Sequence, residues 1–82
     1  MIQNENQKIY FIIVVKRGNE KKYIAKDFFS KHHINCSIKL DKAKRFKTIE
    51  DAYGFWQNWG GFDKELQFVS IGRLLVSYQC ES

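Results

Sequence analysis

The sequence predicts an α+β fold: an antiparallel sheet of four to five strands with one amphipathic helix packed on one face. Three observations carry this. Residues 9–15, IYFIIVV, form an unbroken apolar run of β-branched and aromatic side chains, the composition of a strand covered on both faces. The tetrapeptide Arg17-Gly18-Asn19-Glu20 then supplies turn chemistry, and the chain resumes with the more polar KKYIAKD, which makes a hairpin. Residues 43–61, AKRFKTIEDAYGFWQNWGG, read as a strand exit, a capped helix and a glycine stop.

Length and composition bound the rest. Eighty-two residues make one domain, 1–82, with a thin stability margin. Apolar residues are 44% of the chain, which excludes disorder on composition. Aromatics are 16%, and each ring buried removes a large apolar area from water. There is no proline, so nothing interrupts a strand or kinks a helix.

In chain order, the polar lead-in 1–7 is expected to fray. Residues 8–16 form the first strand and 21–27 the second. Residues 28–33, FFSKHH, either prolong the second strand or make one helical turn. In 34–40, INCSIKL, Ile34, Cys36, Ile38 and Leu40 alternate with polar residues, the pattern of a half-buried strand. Thr48 is a good helix N-cap, with Glu50 and Asp51 in the first turn where the dipole favours negative charge. Ile49, Ala52, Tyr53, Trp56 and Trp59 recur at helical spacing as the core stripe, Phe55 flanks it, and Gly60-Gly61 ends the helix. Residues 66–71 and 74–80 flank Gly72-Arg73 as a second hairpin, a single bent strand being the alternative. The expected order is β-β-β-α-β-β.

One helix cannot cover both sides of such a sheet. The second face is therefore expected to carry an apolar patch that meets another molecule, a second copy in a homodimer or an obligate partner.

Charge narrows the choice of partner. Fourteen Lys and Arg against nine Asp and Glu give a net charge of +5, and eleven of the fourteen are Lys. Lysine binds phosphate as a point charge, whereas arginine reads base edges, so nucleic acid would be held by its backbone. Lys39, Lys42, Lys44, Arg45 and Lys47 surround Phe46, a basic stretch with an aromatic that can track phosphates and stack a base. The plainer reading is a solvated loop with Phe46 as a core plug. Phe55 and Trp59, near the edge of the helix stripe, are the expected partly exposed contact residues.

Signals for chemistry are sparse. His32, His33 and Cys36, with Cys80, have the residue types of a zinc site but not two paired knuckles, so no metal or cofactor is expected. Cys36 in the inward phase of a strand acts as a small hydrophobe. Two cysteines make no disulfide framework, no signal segment opens the chain and no run spans a bilayer. A cytoplasmic location with reduced thiols and no membrane partner is the expectation. His32 or His33 beside Lys31 or Arg45 are the only candidates for a ribonuclease, and no second titratable partner is placed by recognisable spacing.

The 41–52 run, DKAKRFKTIEDA, resembles a pattern in many small uncharacterised proteins of phages and mobile elements of low-GC Gram-positive bacteria. In those proteins a hairpin and a strand precede an A-x-x-F-x-T-x-E-[ED]-A helix start and a closing strand. Ala43, Phe46, Thr48, Glu50, Asp51 and Ala52 match. The likeness spans about half the chain, and its motif is structural. The Trp-rich helix end and the long apolar C-terminal stretch depart from it. The resemblance implies a small accessory protein. Some such proteins inhibit host defence complexes, CRISPR effectors included, by occupying a surface. The first functional expectation is thus a non-enzymatic binding protein that modulates or inhibits a host protein, a defence nuclease among the candidates. The second is a basic nucleic-acid-binding module acting through 39–47. The third is a toxin-like ribonuclease.

Overall fold

The computed structural model describes residues 7–30 and 33–77. Its sheet has four strands, all antiparallel, in the order β3-β2-β1-β4. β1 (Gln7–Arg17) and β2 (Glu20–Ser30) are joined by the predicted turn, where Gly18 takes φ 65°, a conformation that glycine adopts without a Cβ clash. β3 (His33–Ser37) lies outside β2. β4 (Leu66–Ser77) pairs along the whole of β1, from Arg17↔Leu66 to Gln7↔Ser77. Among the described residues no helix is long and apolar enough to cross a membrane.

Two expectations about strands are corrected. There is no second hairpin among the described residues: 66–77 is one strand, so the order is β-β-β-α-β. Gly72 is not at positive φ. It sits opposite Ile12, and a Cβ there would meet Ile12 Cγ1 at 3.5 Å and Val14 Cγ2 at 3.6 Å. The irregularity of β4 lies elsewhere: Val14 pairs with Ser70 and Val15 with Phe68, which leaves Val69 as a bulge. β3 also stops at Ser37. Ile34 is fully buried and Cys36 half-buried, but Ile38 and Leu40 are exposed beyond the strand end. The alternation simply outlasts the pairing. The 28–33 ambiguity resolves as strand as far as Ser30. The predicted fraying of 1–7 concerns residues outside those described, except Gln7, which opens β1.

The β1–β2 hairpin does not zip to its end. Its pairing runs only from Arg17↔Glu20 to Val14↔Tyr23. Beyond that, residues 43–46 enter between the two strands. Phe11 and Phe46 exchange backbone hydrogen bonds at 2.8 Å in both directions, and the Lys44 N–H donates to the Ile24 carbonyl at 2.8 Å. Ala43 bridges Ala25. Small side chains at both positions, each buried, allow this close entry. The inserted piece supplies the partners that the splayed strands lack.

α1 (Ile49–Trp59) starts as predicted, with Thr48 Oγ1 accepting from the Asp51 N–H at 3.0 Å. It packs on β1 and β4. The buried stripe is rotated from the expected one: Ala52 and Phe55 are buried, Trp56 and Trp59 pack beside them, and Ile49 and Tyr53 are exposed. Phe46 sets the rotation, because its inserted position brings its ring to 5.4 Å from that of Phe55. Gly60 has ordinary helical φ, −61°. Its requirement is close approach, since a Cβ there would lie 2.4 Å from the Trp56 ring. The core gathers Ile13, Val15, Ile24, Ile34, Phe46, Ala52, Phe55 and Leu66 between the sheet and the helix. Each large aliphatic side chain so buried contributes about 1.5–3 kcal/mol.

Candidate interaction surfaces

The basic segment 39–47 does not present one surface. Lys39, Lys42 and Lys47 are exposed around the short 3-10 turn Leu40–Lys42 and the helix start. Lys44 and Arg45 are consecutive in the extended inserted piece, so they point to opposite sides of the sheet. Lys44, half-buried, holds Nζ 5.4 Å from the Phe46 ring and 5.8 Å from the Phe55 ring, on the helix side. Arg45, exposed, lies 5.4 Å over the Tyr10 ring, on the far side. Both contacts are cation–π in geometry. Phe46 is the core plug of the plainer reading, with 8% of its surface exposed. Phe55 is corrected to a buried residue, and Trp59 is half-buried against the core. Of the seven predicted contact residues, the five basic ones are therefore split between the two sides and a loop, Phe55 belongs to the core, and Trp59 is partly exposed at its edge, as expected.

Exposed apolar surface lies mainly on the helix side, not where the sequence suggested. Phe11, Ile13 and Val15 face α1, so Ile9 shares that side by strand alternation. Ile9 and its cross-strand partner Leu75 are 51% and 56% exposed, because they lie beyond the reach of the helix. On α1, Ile49 and Tyr53 are one turn apart and exposed, and the Tyr53 ring lies 5.8 Å from that of Phe68 on β4. Val69, the bulge residue, is exposed next to Phe68.

The opposite face is of a different kind. Register places Lys8, Tyr10, Ile12, Val14 and Lys16 of β1 there, with Gln67, Ser70, Gly72, Leu74 and Val76 of β4 and Lys21 and Tyr23 of β2. Among the described residues the expected bare apolar patch is reduced to partial exposure: Ile12 is 3% exposed, and Val14, Leu74 and Val76 are half-buried. No carboxylate stands at these positions. Lys16 and Lys21 are exposed and directly opposite one another. Among the described residues neither ammonium has an ion-pair partner.

The turn end of the sheet holds a feature that spacing did not announce. Asp63, 7% exposed, receives Arg17 Nη2 at 2.7 Å, the Glu65 N–H at 3.1 Å and the Ile34 N–H at 3.4 Å. Arg17 also donates to the Ile34 carbonyl at 3.0 Å and to Glu65 Oε1 at 3.1 Å. The Arg17 hydrogen bond holds the Asp63 carboxyl below its ordinary value, with help from the two N–H groups and against burial. The same hydrogen bond pushes the Arg17 guanidinium up. Burial pushes the Cys36 thiol up, opposed by nearby Arg17. These groups satisfy one another, and an open depression lined by Arg17, Gly18, Glu65 and Gln67 lies beside them. Their arrangement fits a structural clamp joining β1, β3 and the entry to β4.

For catalysis and metal binding the candidates fall largely outside the described residues: Lys31, His32 and Cys80 do, and only the backbone of His33 is placed. Cys36 is a free thiol. Among the described residues no group of three or more His, Cys, Asp or Glu side chains is placed to hold a metal ion. No protein-family model, no curated protein and no solved structure matches the chain.

Proposed function

We propose that the chain is a non-enzymatic binding module that docks a protein partner on its helix side. The observation that carries the reading is the set of large apolar side chains left exposed there: Ile9 and Leu75 at the end of the β1–β4 ribbon, and Ile49 and Tyr53 on α1. A solvated surface gains nothing from such residues, whereas a protein partner would bury them. Tyr53, already leaning on Phe68, is the natural central anchor. The resemblance of the 41–52 run to small phage and mobile-element proteins supports a partner in a bacterial host, with a defence nuclease complex as the first candidate. A net charge of +5 argues against imitation of nucleic acid, so inhibition would proceed by apolar occupation of a protein surface.

Self-association is the second reading, and the edge position of β4 favours it. Leu66–Ser77 is a long edge strand without proline and with Arg73 as its one charge, a template for pairing with a second copy.

Affinity capture from nuclease-treated host lysate tests the first reading. A stoichiometric protein should be retained by the parent chain and by Tyr23→Ala, and released by Leu75→Asp and Tyr53→Asp. Capture indifferent to both helix-side changes overturns it. Equilibrium sedimentation decides the second reading: a dimer weakened by proline in β4 supports it, and a monomer at high concentration removes it.

A further inference from the structure

We infer that the sheet face opposite α1 is a binding site for single-stranded nucleic acid, separate from the helix-side protein surface. Three observations converge on it. Among the described residues, the charges that register or contact places on this face are all positive. Lys8, Lys16 and Lys21 stand there by register, Arg45 reaches it from the inserted segment, and none of the register-fixed positions is acidic. An anionic ligand is the charge complement of such a face.

The second observation is the Lys16↔Lys21 pair. Like charges directly opposite on neighbouring strands repel and lower stability on their own. Both ammonium groups are exposed, and no ion pair relieves them among the described residues. A phosphate seated between them turns the repulsion into a two-point clamp.

The third is the placement of aromatic rings. Tyr10 and Tyr23 are half-buried on this face, held on β-strands rather than loops. Tyr23 is opposite Val14, so the two tyrosines are separated by roughly 13 Å along the strand direction, about two steps of an extended single strand. Tyr10 has the Arg45 guanidinium over its ring, and a tyrosine–arginine stack presents a flat, cationic platform to a base. Val14 and Leu74, half-buried, add some apolar surface between the two tyrosines, and Ile12 lies buried beneath. Rings on a sheet, flanked by phosphate-binding lysines, can bind unpaired bases by stacking. A duplex hides its base faces and would use only the charges. With eleven Lys to three Arg in the chain, sequence preference is weak.

The site differs from the one suggested by spacing alone. Of the 39–47 segment, Arg45 reaches it. Lys44 points to the other side of the sheet.

Fluorescence anisotropy with a labelled single-stranded oligouridylate and the full chain tests this. Binding should weaken as salt rises with a log–log slope of about −3, the value for four contacts to a single strand. Tyr23→Ala should weaken it about tenfold, and Tyr23→Phe should restore it. Lys16→Gln with Lys21→Gln should reduce the slope by about one to one and a half. Leu75→Asp, on the other side, should leave affinity unchanged, which separates this site from the proposed protein surface. Circular dichroism establishes that each variant is folded. If Tyr23→Ala does not fold, the lysine pair alone decides. Three results overturn the inference: no binding at low salt, equal binding of a duplex of the same length, or binding unaffected by both the tyrosine and the lysine changes. Binding of poly-glutamate with none of the oligonucleotide does so too, and assigns the face to an acidic protein.

Discussion

The two ends of β1 have similar sequence and opposite fates. At the turn end, Ile13 and Val15 are fully buried, packed among β2, β4 and α1, and locked by the Arg17–Asp63 clamp. At the ribbon end, Ile9 is half exposed beside Leu75. Both ends are β-branched and apolar. What differs is which elements reach them: α1 begins only after Phe46 and runs toward the turn, while β2 has parted from β1 at the fork. Apolar character along a strand therefore marks what could be buried, and the placement of the next layer decides what is.

Substituting at both ends measures the contrast. Ile13→Ala should show the largest loss, about 4 kcal/mol in urea unfolding, because a fully enclosed side chain leaves a cavity. A loss below about 1 kcal/mol would mean that this end is not the tight one. Asp63→Asn should come next, at about 3 kcal/mol. It removes the anion from a part-buried guanidinium that keeps 20% of its surface exposed, which places the loss at the low end for buried pairs. The direction of the Asp63 shift adds a signature. Its folded value is below the ordinary one of about 3.9, so its stabilisation is complete above that value and disappears as pH falls through the lower one. The difference between parent and variant should narrow only in that acid window, and a gap that closes at neutral pH would remove the clamp from the account. Ile9→Ala should show the smallest change, under about 1 kcal/mol in the same urea assay. A loss as large as that of Ile13→Ala would erase the distinction between the ends.

Much of the fold was legible in local chemistry. Gly18 at the turn, Thr48 as the cap and the strand character of residues 8–16 depend on near neighbours, and each is found. The misreadings all involve partners distant in sequence. Gly72 looked like a turn because its pairing with Ile12 on β1 was invisible. Ile38 and Leu40 kept the alternation of a strand past the last residue that β2 could pair. Phe55 looked peripheral until Phe46 fixed the rotation of α1. Of the candidate sites, the basic segment was visible as composition, but not its division between Lys44 and Arg45. Tyr10 and Lys16 share a phase that the unbroken apolar run concealed, and nothing in the spacing of Arg17 and Asp63 marks them as partners.

The inserted piece at residues 43–46 also imposes an order of events on folding. Hairpins close within about 1–10 μs, faster than contacts that wait for distant chain. A β1–β2 zipper that ran past Val14–Tyr23 would occupy the slot before Phe46 arrived, and would have to reopen to admit it. The fork thus makes half of the first hairpin provisional until the chain has been synthesised through the helix start. A fragment that ends before residue 43 lacks the backbone that fills the fork, so its two strands are left without those partners.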